Sequence, residues 1–326
     1  MRKAIMTSLS SLYRSIVLAT QASYRKIPSR IKKVNARVIS IGNITWGGTG
    51  KTPMVIALAR YFLESGKKVV VLTRGYGKDE VEELKKNLPQ VPVIVGRDRV
   101  KTAVEAVQKH GAEIILLDDG FQHIRLHRDM DVVNINSTVP FGPGGLIPLG
   151  TLREPIENLA RAHIFVLTKS DIGSKNLHWI RQKITSIKPG AVIFEAVHKP
   201  VQLLDYRRNR FLPLTEIRGK KVAVISGIGD PYSFEKTVEK IGGQILFAAR
   251  FDDHHDFTPK EIDEFLGRCK EMGVKDIVTT EKDFARIEKV MKAKKQAQWN
   301  GYNFLTLQIE FQMHDEEDFF RRCLNS

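Results

Sequence analysis

Eight consecutive residues, Thr45-Trp46-Gly47-Gly48-Thr49-Gly50-Lys51-Thr52, have the composition of a loop that cradles phosphate. Glycines let successive backbone N–H groups curl around phosphate oxygens, and a helix opening at the end of the loop adds positive potential. Lys51 is placed to reach the β- and γ-phosphates of a nucleotide such as ATP, and the Thr52 hydroxyl is suited to ligate Mg²⁺. One departure stands out: the usual pattern opens on Gly, and here Thr45 takes that place. A second chemical element follows, the apolar run Ile114-Ile115-Leu116-Leu117 ending in Asp118-Asp119. A carboxylate at the C-terminal end of a strand can hold the metal of a bound nucleotide. Alone such a run is common; downstream of a phosphate loop it gains meaning.

These residues need elements to position them. From Arg37 onward, short β-branched runs alternate with helical stretches. The runs Val38–Ile44, Val69–Leu72, Val93–Val95, Ile114–Leu117, Val132–Ile135, Ile164–Leu167 and Val192–Phe194 read as strands, and Met54–Leu63 and Val100–Val107 read as helices. This is the signature of an α/β fold, a P-loop NTPase-type parallel sheet covered on both faces. Both acids and the loop would then meet at the carboxyl ends of neighbouring strands. A second series follows, with strands Val222–Ser226, Gln244–Ala249 and Asp276–Thr279. Between the two series, Val201–Leu214 carries the charged tip Arg207-Arg208-Asn209-Arg210 and reads as a hairpin or hinge strand. The expected organisation is an N-terminal helix and linker over 1–34, a phosphate-loop domain over 35–200, a hinge strand over 201–217, a smaller α/β domain over 218–302, and a return strand with a last helix over 303–326.

Charge narrows the partners. The 326 residues carry 52 Lys and Arg against 37 Asp and Glu, a net +15. Nucleic acid, an anionic membrane or a phosphorylated substrate would each suit that excess. Two cysteines, Cys269 and Cys323, imply neither a zinc framework nor a disulfide scaffold. Residues 3 to 25 place Ile5, Leu9, Leu12, Tyr13 and Ile16 on one helical stripe, followed by the basic run Arg25, Lys26, Arg30, Lys32, Lys33 and Arg37. The apolar runs are too short to span a bilayer or to form a secretory signal. A helix of this kind can lie in a membrane interface or pack on its own domain, and the stripe alone does not say which.

Several motifs taken together are more specific than any one. Gly42-Asn43-Ile44 leads into Gly47-Gly48-Thr49-Gly50-Lys51-Thr52-Pro53; then come Arg74-Gly75-Tyr76, Asp118-Asp119-Gly120-Phe121-Gln122-His123, Leu152-Arg153-Glu154-Pro155 and Phe251-Asp252-Asp253-His254. The combination resembles the tetraacyldisaccharide 4'-kinase family of lipid A biosynthesis. The resemblance implies transfer of the ATP γ-phosphate, with Mg²⁺, to the 4'-hydroxyl of an acylated glucosamine disaccharide 1-phosphate, forming lipid IVA. It also implies two domains joined by a two-stranded hinge, peripheral at the cytoplasmic face of a bacterial inner membrane. An anionic membrane surface and the lipid substrate become the expected partners, with no nucleic acid and no obligate protein partner.

The resemblance also implies site residues. Asp98, in Gly96-Arg97-Asp98-Arg99, matches the family's catalytic Asp, paired there with a His; by motif this is His254, with His255 a rival beside it. Asp at the start of a helix is equally suited to be an N-cap. If His254 comes from the second domain, hinge closure would assemble the site. Lys51 would act catalytically, the eight loop residues would bind nucleotide, and Thr52, Asp118 and Asp119 would hold the metal. Arg74 and Arg153 could contact phosphate or form ion pairs, while Gln122 and His123 could orient metal or substrate or serve structure.

Two lookalikes complete the reading. His127-Arg128-Asp129 with Asn134 has the spacing of a protein-kinase catalytic loop, but no kinase glycine loop precedes it and the nearest DFG-like triplet is Asp283-Phe284-Ala285, so the match reads as chance. Thr168-Lys169-Ser170-Asp171 is similar to the guanine-reading segment of GTPases, which makes a membrane-associated regulatory P-loop GTPase the alternative function.

Overall fold

A computed structural model describes residues 2–75, 78–294, 299 and 301–325. Tyr76 of the Arg74-Gly75-Tyr76 motif lies outside the described residues. The chain divides into two compact units, 1–197 with 311–326, and 198–310.

In the larger unit the β-branched runs become strands because both their faces are buried. Its elements are α1 (Arg2–Lys26), β1 (Arg37–Gly42), α2 (Lys51–Glu64), β2 (Val69–Thr73), α3 (Lys78–Asn87), β3 (Val93–Val95), α4 (Arg99–His110), β4 (Ile114–Asp118), β5 (Met130–Asn136), β6 (Ile164–Thr168), α5 (Leu177–Ile187) and the first part of β7 (Val192–Asp205). The strand order is β7-β6-β5-β1-β4-β2-β3, all parallel. Along β1 the side chains alternate between layers: Ile39 and Ile41 join the core with Met54, Leu58 and Phe62 of α2, whereas Val38 packs with Ala103 and Ala106 of α4. The first core also takes Met313, Phe319, Phe320 and Cys323 from the chain's last residues.

The smaller unit contains the rest of β7, then β8 (Arg210–Leu212), β9 (Lys221–Ser226), α6 (Pro231–Lys240), β10 (Gln244–Arg250), α7 (Pro259–Glu271), β11 (Asp276–Thr279), α8 (Glu281–Lys294) and most of β12 (Asn303–Met313); α9 (Glu316–Asn325) belongs to the larger unit. Its strand order is β10-β9-β11-β12-β7, with β8 antiparallel on β7. The charged tip around Arg207–Arg210 is the turn of this hairpin, with Asp205 opposite Arg210. The chain passes between units within β7 and β12. Residues 201–217 and 303–310 fall within the smaller unit. The run read as Val192–Phe194 continues to Asp205 as one strand.

The N-terminal helix belongs to the larger unit but does not bury its apolar stripe. Ile5, Leu9, Leu12 and Ile16 face outward, Leu12 with 58% of its surface exposed. Tyr13 departs from the stripe it was assigned to: it turns inward, as do Ser10 and Gln21. The helix therefore presents polar groups to protein and apolar groups away from it, the reverse of an ordinary surface helix. Among the described residues no helix is long and apolar enough to cross a membrane.

Candidate active site

The phosphate loop connects central strand β1 to α2, where parallel sheets gather their ligands. Gly47 and Gly50 have φ of 111° and 76°, the left-handed region where a side chain is strained, so these two positions require glycine. Thr45, where the consensus has Gly, is buried and bridges antiparallel to Leu152. The backbone of Trp46 donates to the Thr151 carbonyl at 2.7 Å, and that of Arg153 to the Ile44 carbonyl at 2.7 Å. The residue type at position 45 thus suits a loop clamped by a second segment. Trp46 itself stands 66% exposed.

Below the loop, Asn43 is fully buried and donates from Nδ2 to Thr49 Oγ1 at 2.9 Å. The Thr49 carbonyl accepts from Thr168 Oγ1 at 3.1 Å and Asn134 Nδ2 at 3.3 Å. Thr168, the first residue of the GTPase-like segment, thus braces the loop. The kinase-like match is structural as well: Asp129 Oδ2 accepts the Val38 backbone N–H at 2.7 Å, and Arg128 pairs with Asp131.

Asp118 ends β4 opposite Ile41 of β1, which delivers the acidic pair to the loop's side of the sheet. The two acids have different environments. Asp119, at a left-handed φ of 59°, accepts both guanidinium arms of Arg153 at 2.7 and 3.0 Å, and Lys51 Nζ lies 3.5 Å away. Burial alone would raise its pKa, but Lys51 and Arg153 hold the carboxyl below its ordinary value, so it is ionised. Asp118 is buried, with Oδ2 accepting from Thr73 Oγ1 at 3.2 Å and Oδ1 without a hydrogen-bond partner. Burial, then the nearby Glu80 charge, pushes its pKa up to about 7 despite Lys51. A buried carboxylate oxygen with no donor is what a hard cation would satisfy, and the oxygen donors Asp118, Asp119 and Thr52 fit Mg²⁺, which takes few protein ligands beside phosphate and water.

Of the remaining residues, Arg153 also donates to Asn43 Oδ1 at 3.1 Å, and Gln122 Nε2 donates to the Asn43 carbonyl at 2.8 Å and to Glu154 Oε1 at 2.6 Å. Lys51, Asp119, Arg153, Gln122 and Asn43 thus share one bonded cluster. His123 is kept neutral, its pKa pushed down to about 4 by burial and by the cations Arg99 and Arg74. Arg74 is exposed at the end of β2. Asp98 stands apart as the N-cap of α4: Oδ1 accepts from the N–H groups of Val100 and Lys101 at 3.1 and 3.3 Å, and Oδ2 from Arg125 at 3.2 Å. The Lys101 N–H bond foremost, with Arg125, lowers its pKa despite a small opposing effect of desolvation, so it is a carboxylate near neutral pH.

His254 belongs to the smaller unit. It sits at a left-handed φ of 62°, with its backbone N–H on the Gly227 carbonyl. Its Nδ1 lies 3.3 Å from Arg286 Nη2. A guanidinium only donates, so this contact makes Nδ1 an acceptor and leaves the ring hydrogen of the neutral form on Nε2. Arg286 is itself fixed by buried Asp283 at 3.1 Å. His255 is differently engaged, stacked on Phe251 and 3.1 Å from Glu261, the capping-box acid of α7.

Four supporting residues were not assigned roles from sequence: Asn43, Thr73, Arg99 and Glu154. Arg99 is buried and donates to the Gly96 and Asp118 carbonyls. Glu154 is buried and accepts from Gln21, Gln122, Asn158 and Arg161. Asn43 and Glu154 lie within motifs that marked the family resemblance, the one signal that could have singled them out.

A parallel sheet whose central strand runs through a glycine loop into a helix, beside a strand ending in an acidic pair, defines a P-loop phosphotransferase-type protein. The family model described as tetraacyldisaccharide-1-P 4'-kinase matches residues 2–83 and 78–326. The chain belongs to that kinase family, whose role is in lipid A biosynthesis. It is 35% identical to a tetraacyldisaccharide 4'-kinase of Halothermothrix orenii, over 87% of this chain and 83% of that one. It is 34% identical to a tetraacyldisaccharide 4'-kinase of Syntrophus aciditrophicus, over 88% and 85%. Among solved structures, an "apo" form of LpxK from Aquifex aeolicus in complex with ATP superposes with a TM-score of 0.67 at 27% identity, covering 98% of each chain. Membership in a kinase family sets aside the regulatory GTPase.

Proposed function

We propose that this chain transfers the γ-phosphate of ATP to the 4'-hydroxyl of a tetraacylated glucosamine disaccharide 1-phosphate, working peripherally at the cytoplasmic face of the inner membrane. The observation that carries this reading is the cluster at the loop mouth, where Lys51 and Arg153 converge on Asp119 beside the unpartnered oxygen of Asp118. Loop N–H groups and Lys51 bind the phosphates and stabilise charge as the phosphoryl group passes. Thr52, Asp118 and Asp119 would hold a bound Mg²⁺, which would neutralise phosphate charge. Arg153 keeps Asp119 ionised and oriented. Asp98 is the base that accepts the proton of the sugar hydroxyl, its outer oxygen exchanging the exposed Arg125 for that hydroxyl. The catalytic histidine of this reading is His254, whose tautomer Arg286 fixes within the smaller unit. Arg74, Gln122 and His123 line the substrate side.

A γ-³²P-ATP assay with tetraacyl disaccharide 1-phosphate in detergent micelles tests the assignment. Labelled lipid is the expected product, and ATP turnover without labelled lipid would overturn it.

The membrane part rests on α1. Its outward Ile5, Leu9, Leu12 and Ile16, followed by exposed Arg25, Lys26, Arg30, Lys32 and Lys33, match a helix lying in an interface beside anionic headgroups. Deleting the helix would also remove the inward Ser10, Tyr13 and Gln21, so substitution of the outer face is the cleaner test. The variant Leu9→Ser/Leu12→Ser/Ile16→Ser is expected to weaken cosedimentation with phosphatidylglycerol-containing vesicles at least about tenfold, since each side chain is worth roughly 1.5–3 kcal/mol on burial. ATP binding in the absence of vesicles should be unchanged.

A further inference from the structure

Among the described residues, Ser10, Tyr13 and Gln21 of helix α1 make long-range hydrogen bonds to the larger unit. Ser10 Oγ donates to the Leu146 carbonyl at 2.9 Å, Tyr13 OH to the Arg153 carbonyl at 2.7 Å, and Gln21 Nε2 to Glu154 Oε2 at 3.0 Å. The second and third acceptors belong to consecutive residues, and the side chains of those residues hold the nucleotide end of the sheet. Arg153 grips Asp119 with both arms and donates to Asn43 Oδ1. Glu154 Oε1 accepts from Gln122, which donates onward to the Asn43 carbonyl. The two routes meet at Asn43, whose amide holds Thr49 inside the phosphate loop. Direct hydrogen bonds and the short backbone of two residues thus join the inner face of α1 to the nucleotide loop.

The outer face makes the position of this helix depend on what covers it. In water, Leu9, Leu12 and Ile16 are left exposed, which costs the docked helix the burial that normally stabilises a surface helix. A bilayer over that face favours the helical, in-plane arrangement that presents Tyr13 and Gln21 to their acceptors. A ligand shifts an equilibrium by its differential affinity for the two states, and a bilayer has that difference here.

We propose that Tyr13 and Gln21 are positioning residues that couple lipid contact on α1 to nucleotide binding at the phosphate loop. The proposal rests on the membrane reading of α1 and goes beyond it: the helix sets the grip of the kinase on nucleotide as well as bringing it to its substrate. Linkage makes the effect reciprocal, so nucleotide must tighten bilayer binding by the same factor.

The test uses the full chain, a fluorescent ATP analogue with Mg²⁺, and vesicles of phosphatidylethanolamine and phosphatidylglycerol without acceptor lipid. Vesicles are expected to tighten nucleotide binding at least about fivefold, the lower end of measured coupling between sites. Tyr13→Phe/Gln21→Leu keeps the helix and its outer face. It should still sediment with vesicles, melt near wild type, and bind nucleotide with an affinity that vesicles no longer change; Tyr13→Phe alone should lose part of the response. A purely structural role for the two residues would lower stability and leave the response to vesicles in place. The proposal is overturned if wild type sediments with vesicles while its nucleotide affinity stays the same, or if the double variant responds as wild type does. Failure of wild type to sediment at all would instead overturn the membrane reading.

Discussion

Asp98→Asn lowers turnover by about 10²–10⁴, the usual contribution of a general base, and leaves the KM for ATP within about twofold. Asparagine is chosen because it separates two roles that the structure gives to one side chain. As the N-cap of α4, Asp98 accepts from the Val100 and Lys101 N–H groups, and Asn caps a helix as well as Asp does. The cap therefore survives the substitution while the proton acceptor is lost. If Asp98 serves only as a cap, Asp98→Asn turns over normally and Asp98→Ala alone suffers, losing about 1 kcal/mol of stability. His254→Asn is the matching change, because Asn tolerates the left-handed backbone at that position. Turnover of this variant should also fall by orders of magnitude with ATP binding retained, and normal turnover in steady-state phosphoryl transfer would remove His254 from the mechanism.

Asp118→Asn should make the metal-free protein more stable while lowering Mg²⁺-dependent turnover about 10²–10³-fold. The stability effect follows from the raised pKa of about 7, caused first by burial and then by Glu80. The folded state binds this proton more tightly than the unfolded chain does. Stability therefore falls as pH rises from the ordinary carboxyl range to about 7, and the whole cost is present above that. Ionised Asp118 costs up to about 4 kcal/mol in that range, and an asparagine carries no such charge. Melting in EDTA should show the variant gaining several degrees at pH 8 and little at pH 4. With Mg²⁺ and nucleotide present the order should reverse, because the wild-type carboxylate then has its counter-charge. Equal melting of the two proteins at pH 8 in EDTA would show that the buried charge carries no such cost.

The sheet was legible because its strands are apolar on both faces: Val69-Val70-Val71 and Ile114–Leu117 can hardly be anything but buried strands. Helix α3 was not, since Lys78–Asn87 offers only Val81 and Leu84 as apolar residues and its burial comes from Leu84 alone reaching the core. Helix α1 shows the limit of periodicity. The stripe was visible, but which side faces protein depends on partners more than 130 residues away, Leu146, Arg153 and Glu154. For the same reason Tyr13 was placed on the apolar face, though its hydroxyl belongs to the inner one. At the site, the phosphate loop and the acidic pair announce themselves by local spacing. The supporting residues do not: nothing local tells that Glu154 is a buried charge with four donors, or that Thr73 and Arg99 stand beside Asp118. Those are properties of packing rather than of pattern. Asp98 carried both of its readings in the sequence, and the structure adds the capping bonds.

The larger unit is discontinuous along the chain, with the smaller one inserted between residues 197 and 311. Its core includes Phe319, Phe320 and Cys323 from α9, with Phe320 stacked on Tyr61 of α2 at 4.4 Å between ring centres and Phe319 edge-on to Phe194. During synthesis, then, the helix that follows the phosphate loop meets β1, β2 and β4 early but waits for some 250 further residues before α9 leaves the ribosome to cover Tyr61. The inserted unit is completed first. A chain cut short before α9 would leave α2 packed on the sheet but uncover Tyr61 and the part of the core that Phe319, Phe320 and Cys323 fill.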